Sequence, residues 1–169
     1  YNTLVNTLSQ KFGHNIIDKK IEEYLIGTME NYTTFPYLNA IGECTYVSMI
    51  EYDLTIKRKK QGSKYRDLHT FLKIQYESQK EPLPLWLDKY LRNSRKITCF
   101  FGEHLVHLPH NLNKPIAIVE APKTALIASL FFRDFIWLAS GSLNYLNIEK
   151  LNKLKGRKVF LFPDTSVDK

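Results

Sequence analysis

The stretch IAIVEAPK, Ile116 to Lys123, decides how the rest of the chain reads. Four apolar residues lead into Glu120, and Ala121, Pro122 and Lys123 follow. A short unbroken apolar run reads as a strand buried on both faces, as in a parallel sheet. Pro122 cannot continue such a strand but suits the first turn of a helix. The next residues, Thr124 to Phe132 (TALIASLFF), are helical in length and apolar on most sides. Glu120 therefore stands at the carboxyl end of a buried strand, where open α/β sheets place their ligands. A carboxylate there is costly unless it has a partner or a task.

The chain beyond Phe132 repeats this logic. Phe135 to Ala139 (FIWLA) is a second apolar run and ends in the turn Ser140-Gly141-Ser142. Leu146 to Leu154 reads as a short amphipathic helix, with Leu146, Ile148, Leu151 and Leu154 as its apolar positions and Gly156 as its stop. Lys158 to Phe162 (KVFLF) reads as a third buried strand, ending in Pro163-Asp164. The β-α-β-α-β alternation predicts an α/β fold with a parallel sheet and right-handed crossovers. Two of its strands deliver an acid, Glu120 and Asp164, to the same edge.

The ordered set IAIVE, WLASGS and VFLFPDTS resembles the Toprim domain of bacterial primases, topoisomerases and related nucleases. That signature is an apolar strand ending in Glu, a helix, a second strand with a small Gly-containing turn, and a third strand ending in Asp-x-Asp. The resemblance is closest to primase-like Toprim proteins of bacterial mobile elements, in which a segment like CFFGEHL (Cys99 to Leu105) precedes the domain. It covers roughly Cys99 to Lys169. It divides the chain into an N-terminal α+β subdomain, residues 1–98, and a Toprim-like (Rossmann-like) domain, residues 99–169. This sequence departs from the pattern at the second acid of Asp-x-Asp, where Ser166 stands. It also closes at Lys169, before the helix and last strand that a Toprim domain adds, and opens on Tyr1. An excised piece of a longer protein is the expectation.

Net charge +7 and a pI near 9.3 suggest an anionic partner without saying which. No run approaches the roughly 18 apolar residues of a membrane helix, and no secretory signal is visible. Cys44 and Cys99 are too few and too far apart for a zinc ribbon or a disulfide framework. Reduced thiols in the cytoplasm are expected. His104, His107 and His110 recur every three residues, but Pro109 and Asn111 break the helix that would align them on a metal.

Upstream, Asn2 to Phe12 and Asn15 to Tyr24 read as amphipathic helices, separated by Gly13. In primase-like relatives a similar helical pair, ending in a segment like Ile26-Gly27-Thr28, precedes a small sheet. Thr33 to Lys57 is rich in aromatic and β-branched residues and predicts an antiparallel meander turning at Asn39 to Glu43. A basic run follows, with Lys57, Arg58, Lys59, Lys60, Lys64 and Arg66. It is a solvated loop in one reading and a set of phosphate contacts in the other. Asp67 to Tyr76 fits strand and helix equally. Leu85 to Leu91 predicts a short helix anchored by Trp86 and Leu87, with Trp86 read as core in preference to a base-stacking platform.

In Toprim enzymes the strand-end Glu acts in acid/base chemistry and the acids of the third strand hold divalent metal. The resemblance thus implies Glu120 as catalytic residue and Glu120, Asp164 and Ser166 as ligands for Mg²⁺ or Mn²⁺. Lys123 is placed to meet a phosphate near a helix N-terminus. Single-stranded DNA and nucleotides are the implied partners. The implied activity is nucleotidyl or phosphoryl transfer by a DNA primase-like nucleotidyltransferase, in DNA replication or mobile-element maintenance. The other reading is a Toprim-derived nucleic-acid-binding module without catalysis, favoured by Ser166. A dinucleotide site is disfavoured, because the chain has no G-x-G-x-x-G loop.

Overall fold

The computed structural model describes residues 2–59, 64–93 and 97–164. They fall into two units, residues 1–36 with 46–96, and residues 37–45 with 97–169.

In the first unit, α1 (Thr3–Phe12) and α2 (His14–Tyr24) form around their apolar stripes, burying Leu4, Val5, Leu8, Ile17 and Tyr24. Asn2 caps α1 by accepting the Val5 N–H. Its amide also donates to the Gly27 carbonyl and the Thr28 hydroxyl, which ties the cap to the first strand. That strand, β1 (Gly27–Met29), pairs antiparallel with β2 (Tyr32–Leu38), and β3 (Cys44–Ile50) completes the order β1-β2-β3.

The meander thus begins earlier, at Gly27, and stops earlier, at Ile50, than the residue types suggested. Its turn is where it was expected: Asn39 Oδ1 accepts the Ile41 and Glu43 N–H groups, and Gly42 takes φ +83°. The undecided segment is a helix, α3 (Leu68–Gln79), started by the Asp67 carboxylate, which accepts the Thr70 N–H. Tyr32, Met49, Tyr65 and Phe71 form the core beneath it.

Helix α4 (Leu85–Arg92) follows, as predicted, but only Leu87 anchors it. Trp86 is 59% exposed, a correction to its expected place in the core. Consecutive helical residues point about 100° apart, so Trp86 and Leu87 cannot share one narrow buried stripe, and Leu87 takes it.

The second unit holds the parallel sheet. Strand β4 (Ile116–Val119) leads through α5 (Pro122–Phe131) to β5 (Ile136–Ala139), then through α6 (Ile148–Asn152) to β6 (Val159–Leu161). Every residue of β4 and β5 is buried. The order is β5-β4-β6, with Ile118 opposite both Leu138 and Leu161. Pro122 occupies the first turn of α5, as expected.

Two expectations fail here. The third strand is not buried on both faces: β6 has only β4 beside it in the described sheet, and Leu161 and Phe162 are exposed. The helix predicted over residues 146–154 is only five residues long and turns differently. Ile148 is 72% exposed, whereas Lys150 is 1% exposed and Leu154 is buried. Asn147, which caps the helix by accepting the Lys150 N–H, sets this start.

Candidate active site at the sheet switch point

Strand β4 comes first in the chain, and in the sheet β5 lies on one side of it and β6 on the other. Right-handed crossovers running in opposite directions carry their helices to opposite faces of the sheet. The carboxyl ends of β4 and β6 therefore flank the crevice where the winding reverses, the position at which open α/β sheets bind ligands. Glu120 follows β4 directly and is half-buried; Asp164 lies three residues beyond β6 and is exposed. The Phe162 N–H donates to the Ile118 carbonyl, so the β4–β6 pairing continues to within two residues of both acids.

Neighbouring strands lie about 4.8 Å apart. Two carboxylates that follow such strands are a hard-oxygen donor pair of the kind Mg²⁺ uses when water and phosphate complete its shell. Glu120 and Asp164 offer the oxygen chemistry that ion takes. Ser166 and Lys60 lie outside the described residues. Among the described residues no three His, Cys, Asp or Glu side chains gather as a metal site.

The turn after β5 walls the same edge. The Ser140 N–H donates to the Val119 carbonyl and the Gly141 N–H to the Glu120 carbonyl, which fixes the backbone of the acid. Gly141 takes φ +90°, and a Cβ there would meet the Tyr37 hydroxyl at 2.8 Å. Only glycine fits both the angle and the space. The sequence marks Ser140-Gly141-Ser142 as a turn; its contact with Glu120, and Tyr37 beside it, carry no local signal. Lys123 lies half-buried in the first turn of α5, at the same carboxyl edge.

The segment before β4 braces this unit. Phe101 exchanges both backbone hydrogen bonds with Ala139, closing the outer side of β5 at its carboxyl end. Glu103, 1% exposed, accepts the Phe100 N–H and meets Lys153 Nζ at 3.3 Å. Lys150 Nζ lies over the rings of Phe100 and Tyr145, 5.4 and 5.7 Å from their centroids. It has no hydrogen-bond partner among the described residues. Burial holds its pKa down to about 8, partly offset by Cys99 and Glu103. Burial pushes the Cys99 thiol up to about 11, against a hydrogen bond with Thr45. His104 and His110 fall in separate 3-10 turns (Glu103–Leu105 and Pro109–Asn111).

The basic run is a different local structure. Residues 51–59 form a tight reversal, with Tyr52 bridged to Arg58 and Asp53 Oδ1 accepting the N–H groups of Thr55 and Lys57. Lys57, Arg58 and Lys59 are exposed on its return arm, and Lys59 Nζ meets Glu51 at 2.6 Å. These cations belong to the first unit, whereas Glu120, Lys123 and Asp164 belong to the second.

An α/β fold with a three-stranded parallel sheet, and an acid following each of two adjacent strands, is the class that fold and site define. The chain belongs to the family described as Domain of unknown function (DUF6371), whose pattern matches residues 2–165. No curated protein and no solved structure matches the chain significantly. Among the described residues no helix is long and apolar enough to cross a membrane.

Proposed function

We propose that this chain is a primase-like protein of Toprim type that acts on nucleic acid in the cytoplasm, in DNA replication or the maintenance of a mobile element. Its reaction is nucleotidyl or phosphoryl transfer, and its substrates are nucleotides and single-stranded DNA. One observation carries the reading: Glu120 and Asp164 follow adjacent parallel strands, β4 and β6, at the point where the sheet reverses its winding.

Glu120 and Asp164 would hold Mg²⁺ or Mn²⁺, with Ser166 as a neutral oxygen donor. The ion supplies neutralisation of charge on phosphate oxygens. Glu120, its backbone fixed by Gly141, is the acid/base group of the pair. Lys123 draws phosphate toward the start of α5.

The second reading is a nucleic-acid-binding module derived from the same fold. Ser166 favours it, because a serine cannot replace the charge of the second acid in Asp-x-Asp.

Incubation with a single-stranded DNA template, nucleoside triphosphates and Mg²⁺ or Mn²⁺ separates the two. The enzyme reading expects extended or newly primed product that requires the metal and disappears in Glu120→Gln. Template binding without product, unchanged by metal, contradicts that reading and leaves the binding module.

A further inference from the structure

Helix α4 turns one continuous face to solvent. At about 100° per residue, Leu85, Trp86, Lys89, Arg92 and Asn93 fall within one third of its circumference, and all five are exposed. Leu85 is 79% and Trp86 59% exposed. The opposite side is held down by Leu87, which is fully buried. This face carries an indole, a leucine, two cations and no acid. Asp88 lies on its flank, where it takes the Arg92 guanidinium in a two-point contact at 2.8 and 3.2 Å. Phosphate therefore competes with Asp88 for Arg92, whereas Lys89 makes no ion pair among the described residues.

We propose that this face of α4 is a stacking platform for single-stranded nucleic acid, with Trp86 under a base and Lys89 and Arg92 on the flanking phosphates. The inference rests on the nucleic-acid reading given above. Flat aromatic surface beside cations is the combination that binds single strands without reading sequence. A duplex hides its base faces and offers this indole nothing to stack on. A second copy of the chain would bring its own +7 charge and the same two cations to the contact.

The test uses the full chain, a labelled oligo-dT, and an abasic oligonucleotide of the same length and charge. Trp86 and Trp137 are the chain's two tryptophans, and Trp137 is buried, so quenching of indole fluorescence by oligo-dT reports Trp86. The wild type should be quenched and Trp86→Phe should not. Trp86→Ala should weaken oligo-dT binding roughly ten-fold, Trp86→Phe should restore most of it, and the abasic strand should bind the wild type as weakly as oligo-dT binds Trp86→Ala. Circular dichroism checks that the variants fold.

Equal binding of oligo-dT to wild type and Trp86→Ala overturns the platform and leaves the nucleic-acid reading standing. Equal binding of abasic and normal strands, or of a duplex of the same length, does likewise. A wild-type chain that binds no oligonucleotide even at low salt overturns both.

Discussion

Lys150 is the residue whose environment contradicts its type most sharply. Its neighbours in sequence, Asn147, Glu149 and Asn152, read as the polar side of a surface helix, yet its ammonium is enclosed by Phe100 and Tyr145. Cation–π attraction offsets only part of the cost of removing a charge from water. Its folded pKa, about 8, lies below the ordinary value of 10.5, so the unfolded chain binds more protons between those limits. Stability must then rise with pH across that window. Cys99 acts oppositely: its thiol is held protonated up to about 11 against an ordinary 9.0, so its contribution falls as pH rises from 9 to 11. The two offset each other above pH 9, and the net rise is confined to pH 8 to 9. Urea denaturation followed across pH 7 to 10.5 should show it. Cys99→Ala should extend the rise toward pH 10.5. Lys150→Met should abolish it and stabilise the fold at pH 7 by about 1–3 kcal/mol. A flat profile in Cys99→Ala would contradict the buried ammonium.

Among the elements, the basic reversal over residues 51–59 invites the sharpest distinction. Asp53 sets the turn, and the return arm presents Lys57 and Arg58 to solvent while Lys59 faces Glu51. Each phosphate contact contributes a slope of about 0.7 to the salt dependence of single-strand binding. Lys57→Ala with Arg58→Ala should therefore flatten that slope by roughly 1.4, whereas Lys59→Ala should change it little. An unchanged slope in the double variant would return the run to a solvated turn.

The same elements explain what could be read beforehand. Strands β4 and β5 were legible because they are buried on both faces, which forces an unbroken apolar run. Helix α3 was not, because LHTFLKIQYES carries β-branched and aromatic residues at spacings that suit either period; the deciding feature is the Asp67 cap. Trp86 and Ile148 misled because residue type indicates burial only on average. Their actual places depend on which way α4 and α6 rotate, and that is fixed by partners distant in sequence.

For the molecule as a whole, the proposed site depends on two adjacent strands, β4 and β6, leading Glu120 and Asp164 to one edge, where they would share one ion. The N-terminal unit contributes exposed cations and an exposed indole on separate elements. The C-terminal unit contributes the acids, held by a sheet whose middle strand is fully enclosed. Pairing β4 with β6 requires the chain to cross from one side of β4 to the other, a non-local feature that the strand order in sequence does not contain. The acid edge was legible in the sequence, and the resemblance implied that the Glu120 and Asp164 strands are neighbours, as the order β5-β4-β6 has them. Mn²⁺ binding, followed by the loss of the free-ion paramagnetic resonance signal, is the test of that shared site. One site is expected in the wild type, weakened at least ten-fold in both Glu120→Gln and Asp164→Asn, with the fold of each variant intact. Saturable Mn²⁺ binding that survives both substitutions, or no binding in the wild type, would contradict it.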